Sequence, residues 1–130
     1  LCYLYFCMSE KTVLIIEDEG DAAELFAEMM RVSGFRVLKV SNSAPAIDLI
    51  ATEKPDLIIL DIMMPGIYGL DILHHVYHDP SLTNIPVVVV SAKGTPADIK
   101  RGLEAGAKIY LTKPVGFQEL KEAVTRILGD

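Results

Sequence analysis

Several groups able to do chemistry stand directly after apolar runs. Glu17-Asp18-Glu19 follows Val13-Leu14-Ile15-Ile16, and Asp61 follows Leu57-Ile58-Ile59-Leu60. Ser91 follows Val87-Val88-Val89-Val90, and Lys113 follows Ile109-Tyr110-Leu111-Thr112. A carboxylate at the end of a buried segment is costly to keep charged unless something compensates it. Three carboxylates brought together repel one another, and each tends to hold its proton. A hard divalent cation relieves both problems. Mg²⁺ takes oxygen ligands, keeps several waters, and is usually held by one or two carboxylates together with a phosphate. Lys113 adds a point charge suited to phosphate oxygens, and Ser91 a neutral hydroxyl that can donate to one of them. If the four segment ends converge, the set reads as a Mg²⁺ site with room for a phosphoryl group.

The elements that must position these groups follow from periodicity. Val13–Ile16, Leu57–Leu60 and Val87–Val90 are continuous apolar runs, with Arg36–Val40 and Ile109–Thr112 as weaker candidates. Runs this apolar suggest strands covered on both faces, as in a parallel sheet. Between them lie helical stripes: Ala22, Leu25, Phe26, Met29 and Val32; Leu70, Leu73, Val76 and Tyr77; and Phe117, Leu120, Val124, Ile127 and Leu128. Thr95-Pro96-Ala97-Asp98 offers an N-cap threonine, a proline at the first helical position and an acid at the third. Ser33-Gly34 and Ala105-Gly106 supply glycine stops. The order is βα repeated five times, which predicts a doubly wound α/β sheet with right-handed crossovers. Ligands in such sheets sit beyond the carboxyl ends of the strands, where the strand order reverses. All four reactive segments are placed there.

Bulk properties limit the alternatives. At 130 residues, about half of them apolar, the chain is sized for one domain with an ample core. A formal net charge of −6 argues against direct nucleic-acid binding, which needs a basic face. Cys2 and Cys7 both lie in the first seven residues, so no disulfide framework holds the core, and a reducing cytoplasm is the expected location. The opening "LCYLYFC" is too short to span a bilayer and lacks a basic n-region, so neither a membrane span nor a signal peptide is expected. Residues 1–10 read as an N-terminal extension: Met8 reads as the natural start, with 1–7 an artefact of the gene boundary or of cloning. The competing reading of 1–7 is a short membrane-peripheral or interface segment.

The stretches "VLIIEDE", "LIILDIMMPGIYGLDIL", "IPVVVVSAKG" and "GAKIYLTKP" resemble, in order and spacing, the receiver domain of two-component response regulators. The likeness runs from Lys11 to Leu128, within a domain taken as 11–130. It implies a flavodoxin-like (βα)5 fold with strand order 2-1-3-4-5. It also implies that Glu17 and Asp18 hold Mg²⁺ (or Mn²⁺) directly or through water, that Asp61 is both ligand and phosphoacceptor, and that the main-chain carbonyl of Met63 is a further ligand. Ser91 matches the hydroxyl that bonds the phosphoryl group, and Lys113 the lysine that pairs with it. Pro114 matches the proline that follows that lysine, usually through a cis bond. Tyr110 matches the aromatic switch. The implied reaction is transfer from a phosphohistidine on a sensor histidine kinase or phosphotransfer protein to Asp61. This switches the face formed by the fourth helix, fifth strand and fifth helix for a downstream effector domain or protein, a face through which a homodimer is also open. The resemblance makes this a phosphoacceptor signalling domain, not an enzyme with turnover, that assists its own phosphorylation and dephosphorylation.

Other readings compete with this one. Glu17-Asp18-Glu19 alone would pass for a solvated loop feeding a helix N-terminus, where acids are favoured. Tyr110 alone would pass for a half-buried strand aromatic. An aspartate-nucleophile phosphatase of the haloacid dehalogenase type needs a second acid two residues after Asp61, where Met63 stands. A flavodoxin-like FMN binder needs a Ser/Thr/Gly-rich first loop, and the acidic run would repel its phosphate. A degenerate receiver acting only as a protein-interaction module is disfavoured by the intact Glu17, Asp18, Asp61 and Lys113. His74, His75 and His78 lie mostly off the second stripe, beside Asp71, and read as a polar, solvated helix face, although the four-residue spacing of His74 and His78 suits a metal. Two departures from the family pattern stand out: Tyr68 before Gly69, where a small polar residue is usual, and Pro45 early in the second helix.

Overall fold

The computed structural model describes residues 10–64 and 67–129. The N-terminal extension read at 1–7, the Pro65-Gly66 turn and the side chain of Tyr68 lie outside what it describes. Strand β1 (Thr12–Ile16) leads to α1 (Gly20–Val32), β2 (Arg36–Val40) to α2 (Ser43–Glu53), and β3 (Leu57–Asp61) to α3 (Gly69–His78). Next come β4 (Val87–Ser91), α4 (Pro96–Glu104), β5 (Ile109–Thr112) and α5 (Phe117–Leu128). Among the described residues the five strands form one parallel sheet in the order β2-β1-β3-β4-β5. A short antiparallel ribbon, Met63–Met64 against Ile67–Tyr68, stands between β3 and α3. No helix among the described residues is long and apolar enough to cross a membrane.

The three central strands are apolar throughout because both of their faces are covered. Side chains alternate along a strand. Leu14, Ile16, Ile58, Leu60, Val87 and Val89 therefore pack with Ala46 and Ile50 of α2 and with Ile72, Leu73 and Val76 of α3. Their neighbours Val13, Ile15, Leu57, Ile59, Val88 and Val90 pack with Phe26, Ala27 and Met30 of α1 and with Leu120 and Val124 of α5. The weaker runs are the sheet's edges: β2 and β5 are only partly buried. This layering aims every strand's carboxyl end at one rim.

Local signals close the helices as expected. Thr95 and Asp98 form a reciprocal capping box with Pro96 at the helix start. Gly34 and Gly106 follow their helices with φ of 96° and 121°, a region that favours glycine. Pro45 falls at the third helical position of α2, where no intrahelical N–H bond is lost.

All three expected stripes are corrected in part, that of α1 most. On α1 the buried positions are Ala23, Phe26, Ala27 and Met30, whereas Leu25 and Val32 are 55% and 70% exposed. The expected stripe weighted large side chains. The inward face is turned by about one residue from the expected stripe and carries Phe26 and Met30 together with the two alanines. On α3 the core positions are Ile72, Leu73 and Val76, while Tyr77 is exposed. On α5 Leu120 and Val124 are buried and Phe117 is exposed, with the Lys121 ammonium 5.8 Å from its ring centre.

Candidate functional site

The acidic run after β1 divides into three roles. The Glu17 N–H donates to the Val40 carbonyl at 3.2 Å, which extends the β1–β2 ladder by one residue and fixes the Glu17 backbone. Its side chain is 2% exposed at the rim, and Oε2 accepts from the Glu19 N–H at 3.3 Å. Glu19 caps α1, accepting from the N–H groups of Asp21 at 3.2 Å and Ala22 at 2.7 Å. For this one residue the helix-start reading of the acids is correct. Asp18 is exposed, yet carboxylate oxygens of Glu17, Asp18 and Asp61 all lie within 4.8 Å of one another.

Asp61 ends β3, paired with Val90, and is 4% exposed. Its Oδ1 accepts from the Met63 N–H at 2.9 Å, and its Oδ2 accepts from Lys113 Nζ at 3.0 Å. The same ammonium donates to Glu17 Oε1 at 2.8 Å. Burial and then the adjacent Asp61 carboxyl push the Glu17 carboxyl up to about 7, against the downward pull of Lys113. Burial pulls the Lys113 ammonium down, but its hydrogen bonds to Glu17 and Asp61 outweigh that and hold it above its ordinary value. Lys113 is thus a full positive charge at neutral pH, facing more negative charge than it can balance.

Ser91 and Tyr110 join the site through one backbone segment. Ser91 is fully buried at the end of β4, and its Oγ accepts from the Lys93 N–H at 3.1 Å. That bond uses a lone pair and leaves the hydroxyl proton free to donate. The Lys93 carbonyl in turn accepts from the Tyr110 hydroxyl at 2.5 Å. The Tyr110 ring lies against Gly102 of α4, where an added Cβ would fall 2.6 Å from Cδ2. The Lys113 N–H donates to the Ser91 carbonyl at 2.8 Å, tying the ends of β4 and β5 together, and the Lys113–Pro114 bond is cis.

The sequence pattern described as "Response regulator receiver domain" matches residues 13–125. The chain belongs to that family. This receiver domain is 36% identical over 121 residues to the phosphate regulon transcriptional regulatory protein PhoB of Pseudomonas aeruginosa, covering 93% of this chain and 53% of PhoB. It therefore spans about half the length of that curated relative. It is 32% identical over 120 residues to the polar-differentiation response regulator DivK of Brucella anthropi, covering 92% of this chain and 98% of DivK. Among solved structures, the signal receiver domain of a DNA binding response regulator from Colwellia psychrerythraea superposes with a TM-score of 0.87 at 28% identity, covering 93% of this chain and all of that one. Receiver domains belong to two-component signalling, in which response regulators interact with histidine kinases and effectors.

The side chains expected at one rim, Glu17, Asp18, Asp61, Ser91 and Lys113, do lie together there in this receiver domain, but the backbone that spaces them left little trace in the sequence. Gly69 is the clearest omission. A Cβ there would fall 2.3 Å from Ile62 Cα and 2.9 Å from the Asp61 carbonyl oxygen, so α3 starts directly against the backbone that carries Asp61. Lys93 is another, because it acts through its main chain and leaves no signature in residue type. Gly102 was legible only as a glycine inside a helix, a pattern that often marks a close approach.

Proposed function

We propose that Asp61 is the phosphoacceptor of this receiver domain, and that residues 11–130 form the domain carrying it. The observation behind this reading is the buried Asp61 carboxylate held between the Met63 N–H and the Lys113 ammonium, with Glu17 sharing that ammonium. The phosphoryl group comes from a phosphohistidine on a sensor histidine kinase or phosphotransfer protein. An Asp61 oxygen attacks phosphorus in line, a P–O bond forms, the P–N bond breaks, and the electron pair leaves with the imidazole. The side chains supply position and charge, which is most of what phosphoryl transfer requires. Lys113 stabilises negative charge on the transferred oxygens, and Ser91 donates its free hydroxyl proton to one of them.

The residues present fit Mg²⁺ or Mn²⁺. Three carboxylates face one ammonium, all the side-chain donors are hard oxygens, and burial and the adjacent Asp61 carboxyl push Glu17 up to about 7, which a bound cation would oppose. Glu17, Asp18, Asp61 and the Met63 carbonyl would hold the cation. When bound, it neutralises charge on the phosphoryl oxygens.

The product brings roughly two negative charges to the rim. Ser91 and Lys113 are drawn toward them, and the movement reaches Tyr110 through the Lys93 main chain. This biases the α4–β5–α5 face between two arrangements, and a partner responds only as far as its affinity for them differs.

The test is intact mass after incubation with Mg²⁺ and acetyl phosphate or phosphoramidate. One added phosphoryl group, absent in Asp61→Asn, is the expected result. No modification of the wild-type chain would leave a binding module without phosphoacceptor activity. Modification retained in Asp61→Asn would place the acceptor elsewhere.

A further inference from the structure

The three histidines of α3, His74, His75 and His78, are all exposed, as a polar helix face requires. Two of them are also organised. His74 and His78 lie one helical turn apart with their rings stacked, centroids 3.9 Å apart and planes inclined by 27°. His78 Nδ1 is 2.9 Å from the His74 carbonyl oxygen. A carbonyl can only accept, so Nδ1 carries the proton in that bond and Nε2 keeps its lone pair. A backbone carbonyl on the far nitrogen is also the usual way a metal-binding histidine is oriented. On its other side the His78 ring meets Tyr77 edge-on, at 5.2 Å and 70°. Tyr77 is itself seated on the α4–β5 corner, where a Cβ on Gly106 would fall 2.6 Å from its Cδ2.

We propose that His74 and His78 form a two-imidazole chelate for a borderline transition cation such as Zn²⁺, Ni²⁺ or Cu²⁺. Imidazoles at i and i+4 on one helix face reach a single ion once the exposed His74 ring turns out of the stack and presents its nitrogen beside His78 Nε2, and nitrogen donors select these cations over Mg²⁺. His78 stands in the last turn of α3, where the outward-facing carbonyls and the helix dipole favour positive charge, and His74 one turn before it. Two protein ligands leave coordination positions for water. The site is separate from the acidic rim: Gly69 begins α3 beside Asp61, and at 1.5 Å per residue His78 lies about 14 Å further along the helix axis. The proposal does not depend on Asp61 accepting a phosphoryl group.

The experiment is calorimetric titration with ZnCl₂ and, separately, NiCl₂ in a Cys2→Ser/Cys7→Ser background, which removes the thiolates as competing ligands. One equivalent binding with micromolar-range affinity is expected, unchanged by Asp61→Asn and by excess Mg²⁺. His74→Ala and His78→Ala should each weaken binding by about tenfold or more, the scale of loss seen when a metal site's ligation is disturbed. His75→Ala serves as the control and should bind like the parent. Equal binding by His78→Ala and the parent, loss of binding in Asp61→Asn, or no binding by the parent would each overturn the proposal.

Discussion

Lys113 donates to Glu17 and Asp61 together, and that shared ammonium makes two buried carboxylates tolerable at the sheet's rim. Their geometry depends on Gly69, a residue with no chemistry of its own. Backbone, not a movable side-chain tip, occupies the space a Cβ would need there. Gly69→Ala should therefore force α3 away from Asp61. The expected cost is about 1–3 kcal/mol of stability, the usual range for overpacking, read by urea denaturation. Phosphoryl incorporation from acetyl phosphate should also slow, because Asp61 moves with its carbonyl. A Gly69→Ala variant of unchanged stability and rate would show that the contact relaxes freely.

Among the elements, α4 is the one held most lightly. Its one buried residue is Gly102, set against the Tyr110 ring, and its start depends on the Thr95–Asp98 box. Thr95 Oγ1 donates to Asp98 Oδ2 at 2.7 Å and accepts from the Asp98 N–H at 3.2 Å. The Thr95 hydroxyl is the first cause of the lowered Asp98 pKa. A carboxyl whose pKa is lower folded than unfolded contributes stability above its unfolded value of 3.8 and loses it as pH falls through the lower folded value. Thr95→Ala should lower stability at neutral pH by about 1 kcal/mol, the typical worth of such a cap. The gap between variant and parent should narrow as the pH is taken below 3.8, which melting curves across that range would reveal. A gap independent of pH would mean that Asp98 takes no part in the cap. A helix tied down this weakly, beside the Tyr110–Lys93 bond, suits a face that changes arrangement.

For the molecule as a whole, stability rests on two cores that share one sheet. Ile58 faces α2 and α3, and its neighbour Ile59 faces α1 and α5. Ile58→Ala and Ile59→Ala should each cost about 2–5 kcal/mol, as buried large-to-small changes do. In a sheet with one solvated face only one of the two would matter. Urea midpoints of the two variants decide this, and a near-neutral Ile58→Ala or Ile59→Ala would contradict the double layering. The same layering explains where the chemistry collects: parallel strands covered on both sides leave only their ends open.

How much was legible in the sequence differs by kind of feature. The rim and the grouping of Glu17, Asp61, Ser91 and Lys113 were readable because each depends on local pattern, whereas the strand order came only with the family resemblance. Apolar runs of both parities mark strands covered twice, and a polar residue immediately after such a run must sit at a strand end. The division of labour within Glu17-Asp18-Glu19 was not readable, since three adjacent acids look alike until one is buried against Lys113, one is left exposed and one caps α1. The face of α1 that meets the sheet was misjudged for a related reason. Hydrophobic size favoured Leu25 and Val32, but the packed helix turns Ala23, Phe26, Ala27 and Met30 inward instead. Close approach also made Gly69 and Gly102 matter. Residue type and periodicity act over a few neighbours, so they are written along the chain. Which surfaces touch, and how nearly, depends on segments tens of residues apart, and that appears only once the layers have packed.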